Sequence, residues 1–364
     1  MKAIILKCPH NARFHFGIAA PDNDSALSQT SECFHSDTLF SALVILCSQT
    51  FPERIEGLIT AFKTGAVQIS SGSFCIDFSE NGQFNKRIFF LPKPNHFDAF
   101  EIDLKERKMV KGIQYISKTI WEKGLAPTKW KEAGCYAIQR KFLVHPEDIE
   151  SSIGQVLDGF YKIKTEPKIA DHARKRENNI FFKTDVFLQT SDLDQSDFGK
   201  SIPQLQRVSF QPHYYFLLKF ATDNTRLQAL VNFLIDNLQE EGLGGAISTG
   251  CGKIESLEKI DWQFNIPEPS TTHWVSASLV ALSEEQPPSS LEDVVASNII
   301  VRGGRKIGKD DTLKRIKLLK AGALIKRQDV GEVATLRKSP PYLRYGKAFA
   351  LPIPEKFMNQ NDGH

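Results

Sequence analysis

Gly242-Leu243-Gly244-Gly245-Ala246-Ile247-Ser248-Thr249-Gly250-Cys251-Gly252-Lys253 is the stretch around which the rest of the chain is ordered. Five glycines in its first eleven residues exclude a helix or strand interior, because glycine loses more backbone entropy on ordering than any other residue. Upstream, Leu227, Leu230, Val231, Leu234, Ile235 and Leu238 recur at helical spacing, which predicts a helix over 225–241. Downstream, an extended segment begins near Ile254. The loop is not a Walker loop, since Cys251 stands where Gly245 and Gly250 would require a lysine. Nor is it a dinucleotide fingerprint, since Ile247 stands where the third glycine belongs. Both of those motifs open a helix, and this loop closes one. Two readings stay open at this level: a glycine C-cap with a long turn, or a backbone cradle for a polyanion.

Working outward, Lys2–Lys7 reads as a buried strand closed by Pro9. A helix follows from Ser36 or Asp37, either a natural N-cap, with Leu39, Leu43 and Leu46 on its apolar face. A second helix fits Pro52–Lys63. Val67–Phe78 and Arg87–Leu91 form a hairpin through Asn81-Gly82, a favoured two-residue turn. With the strand His213–Phe220, the helix 225–241 and the strand after the loop, the order is βαβ-βαβ, the ferredoxin-like order frequent in RNA-binding modules. The expected class is α+β: a first RRM-like domain over 1–268, interrupted by a large insertion at about 92–210, and a second over 269–364. Pro267, Pro269 and the Ser/Thr cluster 270–272 read as the connection between them.

The 364 residues carry a net charge of only +3, but the charge is segregated. Residues 105–141 hold 10 basic and 3 acidic side chains, 162–183 hold 7 and 3, and 301–347 hold 14 and 4. What remains is 15 basic against 33 acidic, so one surface suits a polyanion and another suits something else. The six cysteines are scattered without a C-x-x-C pair, which reads as reduced thiols and no metal site. The apolar run Ala3–Leu6 is too short for a signal peptide, and no stretch approaches the roughly 18 apolar residues of a membrane span. A cytoplasmic protein without a membrane partner and without a cofactor is expected.

Three ordered motifs carry a resemblance. His35-Ser36-Asp37-Thr38-Leu39-Phe40, the glycine loop with its Ser248-Thr249-Gly250-Cys251-Gly252 half, and Arg344-Tyr345-Gly346-Lys347-Ala348-Phe349 together resemble the RAMP-superfamily subunit that caps the crRNA 5′ handle in type III-A (Csm) CRISPR complexes. The similarity runs over nearly the whole chain, including Arg302-Gly303-Gly304 and Lys320-Ala321-Gly322-Ala323. It implies two ferredoxin-like (RRM-like) domains, the first with a basic thumb-like hairpin insertion around Ile163–Phe187. It implies a non-catalytic subunit of an antiviral interference complex, which holds the 5′ handle, docks on the large polymerase- and nuclease-bearing subunit and starts the backbone RAMP filament.

Carried over residue by residue, the RNA-binding set is His35, Ser36, Asp37, Thr38, Gly244, Gly245, Ser248, Thr249, Gly250, Gly252, Lys253, Arg344 and Tyr345. The basic arm adds His172, Arg174, Lys175 and Arg176, and no catalytic or metal-binding residue is implied. The family loop often has a basic residue after its glycine pair, where this chain has Ala246-Ile247. Backbone amides, Ser248, Thr249 and Lys253 therefore have to supply those contacts.

The rival reading is a metal-independent endoribonuclease that processes guide precursors. Such chemistry needs a general base near the 2′-hydroxyl and an acid for the leaving oxygen. His35 with His15, Tyr345 or Lys253 would be the group to test, although no motif pairs them.

Overall fold

The computed structural model describes residues 1–18, 30–149, 161–169, 180–193, 208–282, 291–303, 315–337 and 342–358. Its main sheet runs from one edge in the order Ser256–Asp261, Lys2–Lys7, Val208–Phe220, Ser73–Glu80, Gln83–Pro92. The first strand is the hub: Ile4 lies opposite Phe216 on one side and Lys259 on the other, both antiparallel. Three short strands of the insertion, Tyr115–Ser117, Phe142–Val144 and Tyr136–Ile138, extend the far edge. The Asn81-Gly82 turn falls where the sequence placed it, with both residues at positive φ as a two-residue hairpin of this type requires.

Each face of this sheet has its own core. Ile4, Leu6, Tyr214 and Phe216 point toward three helices, Ser36–Thr50, Ile55–Thr64 and Thr225–Asp236. Ala3, Ile5, Tyr215 and Leu217 point the other way, against Phe97, Trp121 and Trp130 of the insertion and Phe349, Leu351 and Ile353 near the C-terminus. Burial on both faces explains why Ala3–Leu6 is uniformly apolar rather than alternating. It also has a functional consequence. The sheet face on which RRM modules stack bases is filled here by tryptophans, and Trp121 Nε1 donates to the Pro352 carbonyl at 2.9 Å. Its open end carries a closed ion network, in which Arg87 bridges Asp77 and Glu258, and Lys7 also meets Asp77.

A smaller sheet, Val294–Ala296, Leu324–Ile325, Pro269–Ser276 and Ala350–Pro354, holds the C-terminal part. Pro269–Ser276 is thus a strand, where the sequence suggested a connection; it pairs with both Leu324–Ile325 and Ala350–Pro354. The segment read as a basic, helix-poor arm is an antiparallel hairpin, Tyr161–Ile169 with Ile180–Leu188, whose base pairs with Arg13–Phe14. The helix expected over 225–241 stops at Asp236, and Leu238–Glu241 forms a separate turn. At the break the Asn237 side chain donates to the Phe233 carbonyl. The last main-sheet strand starts at Ser256, just after the Glu255 amide donates to the Lys7 carbonyl at 2.8 Å. Among the described residues no helix is long and apolar enough to cross a membrane.

Candidate functional site

The helix start does not cap itself as expected. His35 is the N-cap and makes no side-chain cap bond, while Ser36 and Asp37 sit inside the first turn with no accessible surface. Their side chains are taken by partners far along the chain. The Ser36 hydroxyl accepts from the Leu279 amide at 3.1 Å. The Asp37 carboxylate accepts from Arg302 Nε at 3.0 Å and Arg302 Nη2 at 3.2 Å, and from Arg344 Nη1 at 2.6 Å. Arg302 also donates to Thr38 Oγ1 at 3.1 Å and to the Gly17 carbonyl at 2.9 Å, and Arg344 to the Gly303 carbonyl at 2.9 Å. Burial alone would raise the Asp37 carboxyl, but the two guanidiniums outweigh it and hold it well below the usual carboxylate range.

Tyr345, fully buried, stacks on Phe40 at 5.7 Å between ring centroids, and its hydroxyl accepts from the Ile69 amide. The reading of Ser36, Asp37 and Tyr345 as RNA contacts is corrected on this point: side chains without accessible surface, spent on internal bonds, reach no ligand in this conformation. Arg344 is nearly as buried and joins Asp37 for the same reason, while Thr38 is half-buried against Arg302.

The glycine loop is built differently. Its inner edge lies on the Arg13–Phe14 strand and its extension: the Gly245 amide donates to the His15 carbonyl at 2.7 Å and the Gly252 amide to the Arg13 carbonyl at 2.7 Å. These approaches need glycine. A Cβ on Gly244 would lie 2.8 Å from the His15 carbonyl, and one on Gly252 would lie 2.6 Å from the Leu243 carbonyl, with both residues at positive φ. Behind the loop, Asp185 at the base of the hairpin takes Arg13 Nε at 2.6 Å and His15 Nδ1 at 3.1 Å, and it lies near Cys251 Sγ. The outer lip is exposed: Ser248, Thr249, Gly250 and Lys253, with Ile247 beside them.

Seven of the twelve loop amides, on Gly242, Leu243, Gly245, Thr249, Gly250, Cys251 and Gly252, already donate inside the protein. The inner half of the loop's backbone is thus committed to the protein, so the exposed hydroxyls and Lys253 share the surface chemistry with the amides of the outer lip. His172, Arg174, Lys175 and Arg176 lie outside the described residues.

Loop and helix start are wired together. Gly245 is bonded to His15, Phe16 N donates to Thr30 Oγ1 at 2.9 Å, Gly17 bridges Thr30, and Arg302 ties Gly17 to Asp37. Beside this chain of bonds opens a cleft of about 470 Å³ whose lining includes His35, Gly72, Lys93, Lys111, Tyr115 and Lys320. Of these only His35 was singled out as a binding residue by sequence. His35 is buried and its Nε2 lies 3.5 Å from Ser31 Oγ. Burial, helped by the Arg302 charge, lowers its pKa to about 3.

No family model matches the chain. A curated relative from Methanocaldococcus jannaschii, described as "CRISPR system Cms protein Csm4", is 25% identical over 280 residues, covering 72% of this chain and 67% of the relative. Among solved structures, the "Csm3-Csm4 subcomplex in the type III-A CRISPR-Cas interference complex" aligns over 97% of this chain and 99% of that one, with TM-score 0.63 and 19% identity. A Csm1-Csm4 cassette in complex with cA4 aligns at TM-score 0.48 and 18% identity over 97% and 98% of the two chains. The mixed α+β fold is thus shared with the chain of the Csm3-Csm4 subcomplex. More particularly, the chain is similar in sequence to the Methanocaldococcus protein and in fold to the chain of the Csm3-Csm4 subcomplex, which supports a Csm RAMP-type subunit.

Proposed function

We propose that this subunit binds crRNA in a type III-A Csm interference complex, holding the repeat-derived 5′ handle without catalysing a reaction on it. The observation that carries the reading is the glycine loop: an exposed lip of Ser248, Thr249, Gly250 and Lys253 on a base made rigid by Arg13, His15 and Asp185. Such a lip offers hydroxyls and one cation to phosphates and 2′-hydroxyls, while the filled sheet face leaves no stacking platform there. The strand order Ser256–Asp261, Lys2–Lys7, Val208–Phe220, Ser73–Glu80 supports a ferredoxin-like first domain over 1–268. The Tyr161–Leu188 hairpin supports the thumb-like role of the insertion, and 269–364 is proposed as the second domain.

Its protein partners are proposed as an adjacent backbone RAMP subunit, on the likeness to the Csm3-Csm4 subcomplex, and the large polymerase-like subunit, on the resemblance of the three sequence motifs. The assembly works in the cytoplasm in this reading. The endoribonuclease alternative is weakened at His35 and His15: a histidine with its pKa lowered to about 3 is poorly matched to proton transfer near neutral pH, and His15 Nδ1 is engaged by Thr184 and Asp185. His35 bonds Ser31 and Tyr345 bonds Ile69, so the two are not assembled as a pair.

The test is affinity of the full chain for a repeat-derived single-stranded RNA, measured across a salt series. Binding should weaken steeply with salt, and S248A/T249A/K253Q should weaken it further, with the log–log slope smaller by about one for the lost lysine. A flat salt dependence, or a triple variant that binds like the parent, overturns the reading.

A further inference from the structure

We infer that the cleft beside His35 receives a single nucleotide of the bound RNA, its phosphate at Lys111 and Lys320 and its base on the floor of His35 and Gly72. The inference rests on the RNA-binding reading above and adds to it a site assembled from segments remote in sequence. The floor comes from Thr30–His35 and the Ser70–Ser73 link, one wall from Leu91–Asn95 and Lys111–Tyr115 of the insertion, and the rim from Asn298 and the Lys320-Ala321 turn.

Charge identifies the ligand class. Lys93, though it lines the cleft, is neutralised: its Nζ donates to Asp98 Oδ1 and to the Val110 carbonyl, both at 2.7 Å. Glu32 is tied to Lys141. Lys111 and Lys320 are exposed at the mouth, and neither is in an ion pair among the described residues. Two unneutralised lysines from different segments, facing one cleft, call for an anion. A bare phosphate would leave most of about 470 Å³ empty, whereas clefts of roughly 300–1,000 Å³ are the size that encloses small organic ligands.

The interior supplies the rest of a nucleotide site. His35 is neutral here, so its imidazole exchanges hydrogen bonds without drawing the phosphate inward. Ser31, Gln114 and Asn298 add neutral donors and acceptors suited to a base edge or a ribose hydroxyl. Gly72 lets the Phe34 ring pack directly beneath the floor, since a Cβ there would lie 2.5 Å from it. Gly322 lets the Lys320 turn close on the wall: its amide donates to the Ser276 carbonyl, and a Cβ would lie 2.6 Å from the Lys93 carbonyl.

The cleft is joined to the loop on which the RNA-binding reading rests. The Arg13–Gly17 segment that carries the glycine loop on one side is bonded through Thr30 to the cleft floor on the other.

The experiment uses the full chain and a repeat-derived single-stranded RNA with 4-thiouridine placed at one position at a time, followed by ultraviolet crosslinking and peptide mapping. One position should crosslink to peptides containing Thr30–His35, Gln114 or Lys320. The exposed pair K111Q/K320Q should bind about tenfold more weakly than the charge-matched control K2Q/K326Q, with a salt slope smaller by about two. If S248A/T249A/K253Q weakens binding while K111Q/K320Q matches its control, or no position crosslinks to the cleft peptides, the cleft assignment is overturned and the RNA-binding reading stands. If crosslinks reach the cleft but an acidic peptide competes with the RNA as well as unlabelled RNA does, the nucleotide assignment falls. A parent chain that binds no RNA at low salt sinks both.

Discussion

The helix start at His35–Thr38 and the glycine loop at 242–253 look alike in sequence: short, polar, placed at a helix end and suited to an anion. In the folded chain they are opposites. The helix start turns inward, and Asp37 is a buried carboxylate clamped by two arginines from the C-terminal part. The loop turns outward, its inner edge bonded to the protein and the side chains of its lip left in solvent. One fastens the two parts of the chain to each other; the other presents a surface. The difference teaches that a polar motif at a helix terminus is assigned by what lies across from it. Here that is Arg302 and Arg344 in one case and water in the other.

The largest expected effect tests the inward motif. Asp37→Ala leaves two buried guanidiniums without their carboxylate, and breaking a buried ion pair from one side costs about 3–5 kcal/mol. Denaturant unfolding of the variant should show that loss, and Arg302→Met/Arg344→Met on the Asp37→Ala background should recover part of it. A loss below about 1 kcal/mol, the range of exposed ion pairs, would mean that Asp37 is not the fastening and would collapse the contrast with the loop.

A smaller effect is expected at the loop's hidden edge. Gly252 combines positive φ with a Leu243 carbonyl 2.6 Å from the position of a Cβ, so Gly252→Ala forces the backbone to shift and should cost about 1–3 kcal/mol. Because the lip is positioned from this edge, RNA affinity should fall in the same variant although residue 252 is buried. Unchanged stability and affinity would show that the lip does not depend on its base.

Much of this was legible in the chain before the fold. The Lys2–Lys7 strand, the Asn81-Gly82 hairpin and the position of the glycine loop follow from local rules: unbroken apolar runs, a turn dipeptide, glycine where φ is positive. What was illegible is long-range. Asp37 meets Arg302 and Arg344 across 265 and 307 residues, and a local capping explanation accounts for the same Asp37 equally well from sequence. The cleft is harder still, because its floor, wall and rim come from segments with no shared periodicity. The hairpin at Tyr161–Leu188 is expected from the family resemblance alone, since its own residues show only a basic, helix-poor segment.

The smallest effect separates the two regions by pH. Burial keeps His35 neutral with its pKa lowered to about 3, below the roughly 6.5 of an unfolded chain. Between those values the unfolded state binds a proton that the folded state refuses, so stability falls as pH drops from 6.5 toward 3. The limit is about 1.4 kcal/mol per pH unit for one such group. Asp37, whose carboxyl is lowered, contributes above its unfolded value of about 3.9 and loses that contribution only below it, so the two windows overlap only below about pH 3.9. His35→Gln should therefore flatten the stability profile between pH 6.5 and about 4.5 and leave the steeper loss at lower pH in place. His213, also buried and lowered, remains in the variant and keeps the slope above zero. An unchanged slope would place His35 in contact with solvent and move the helix start back toward the loop's class.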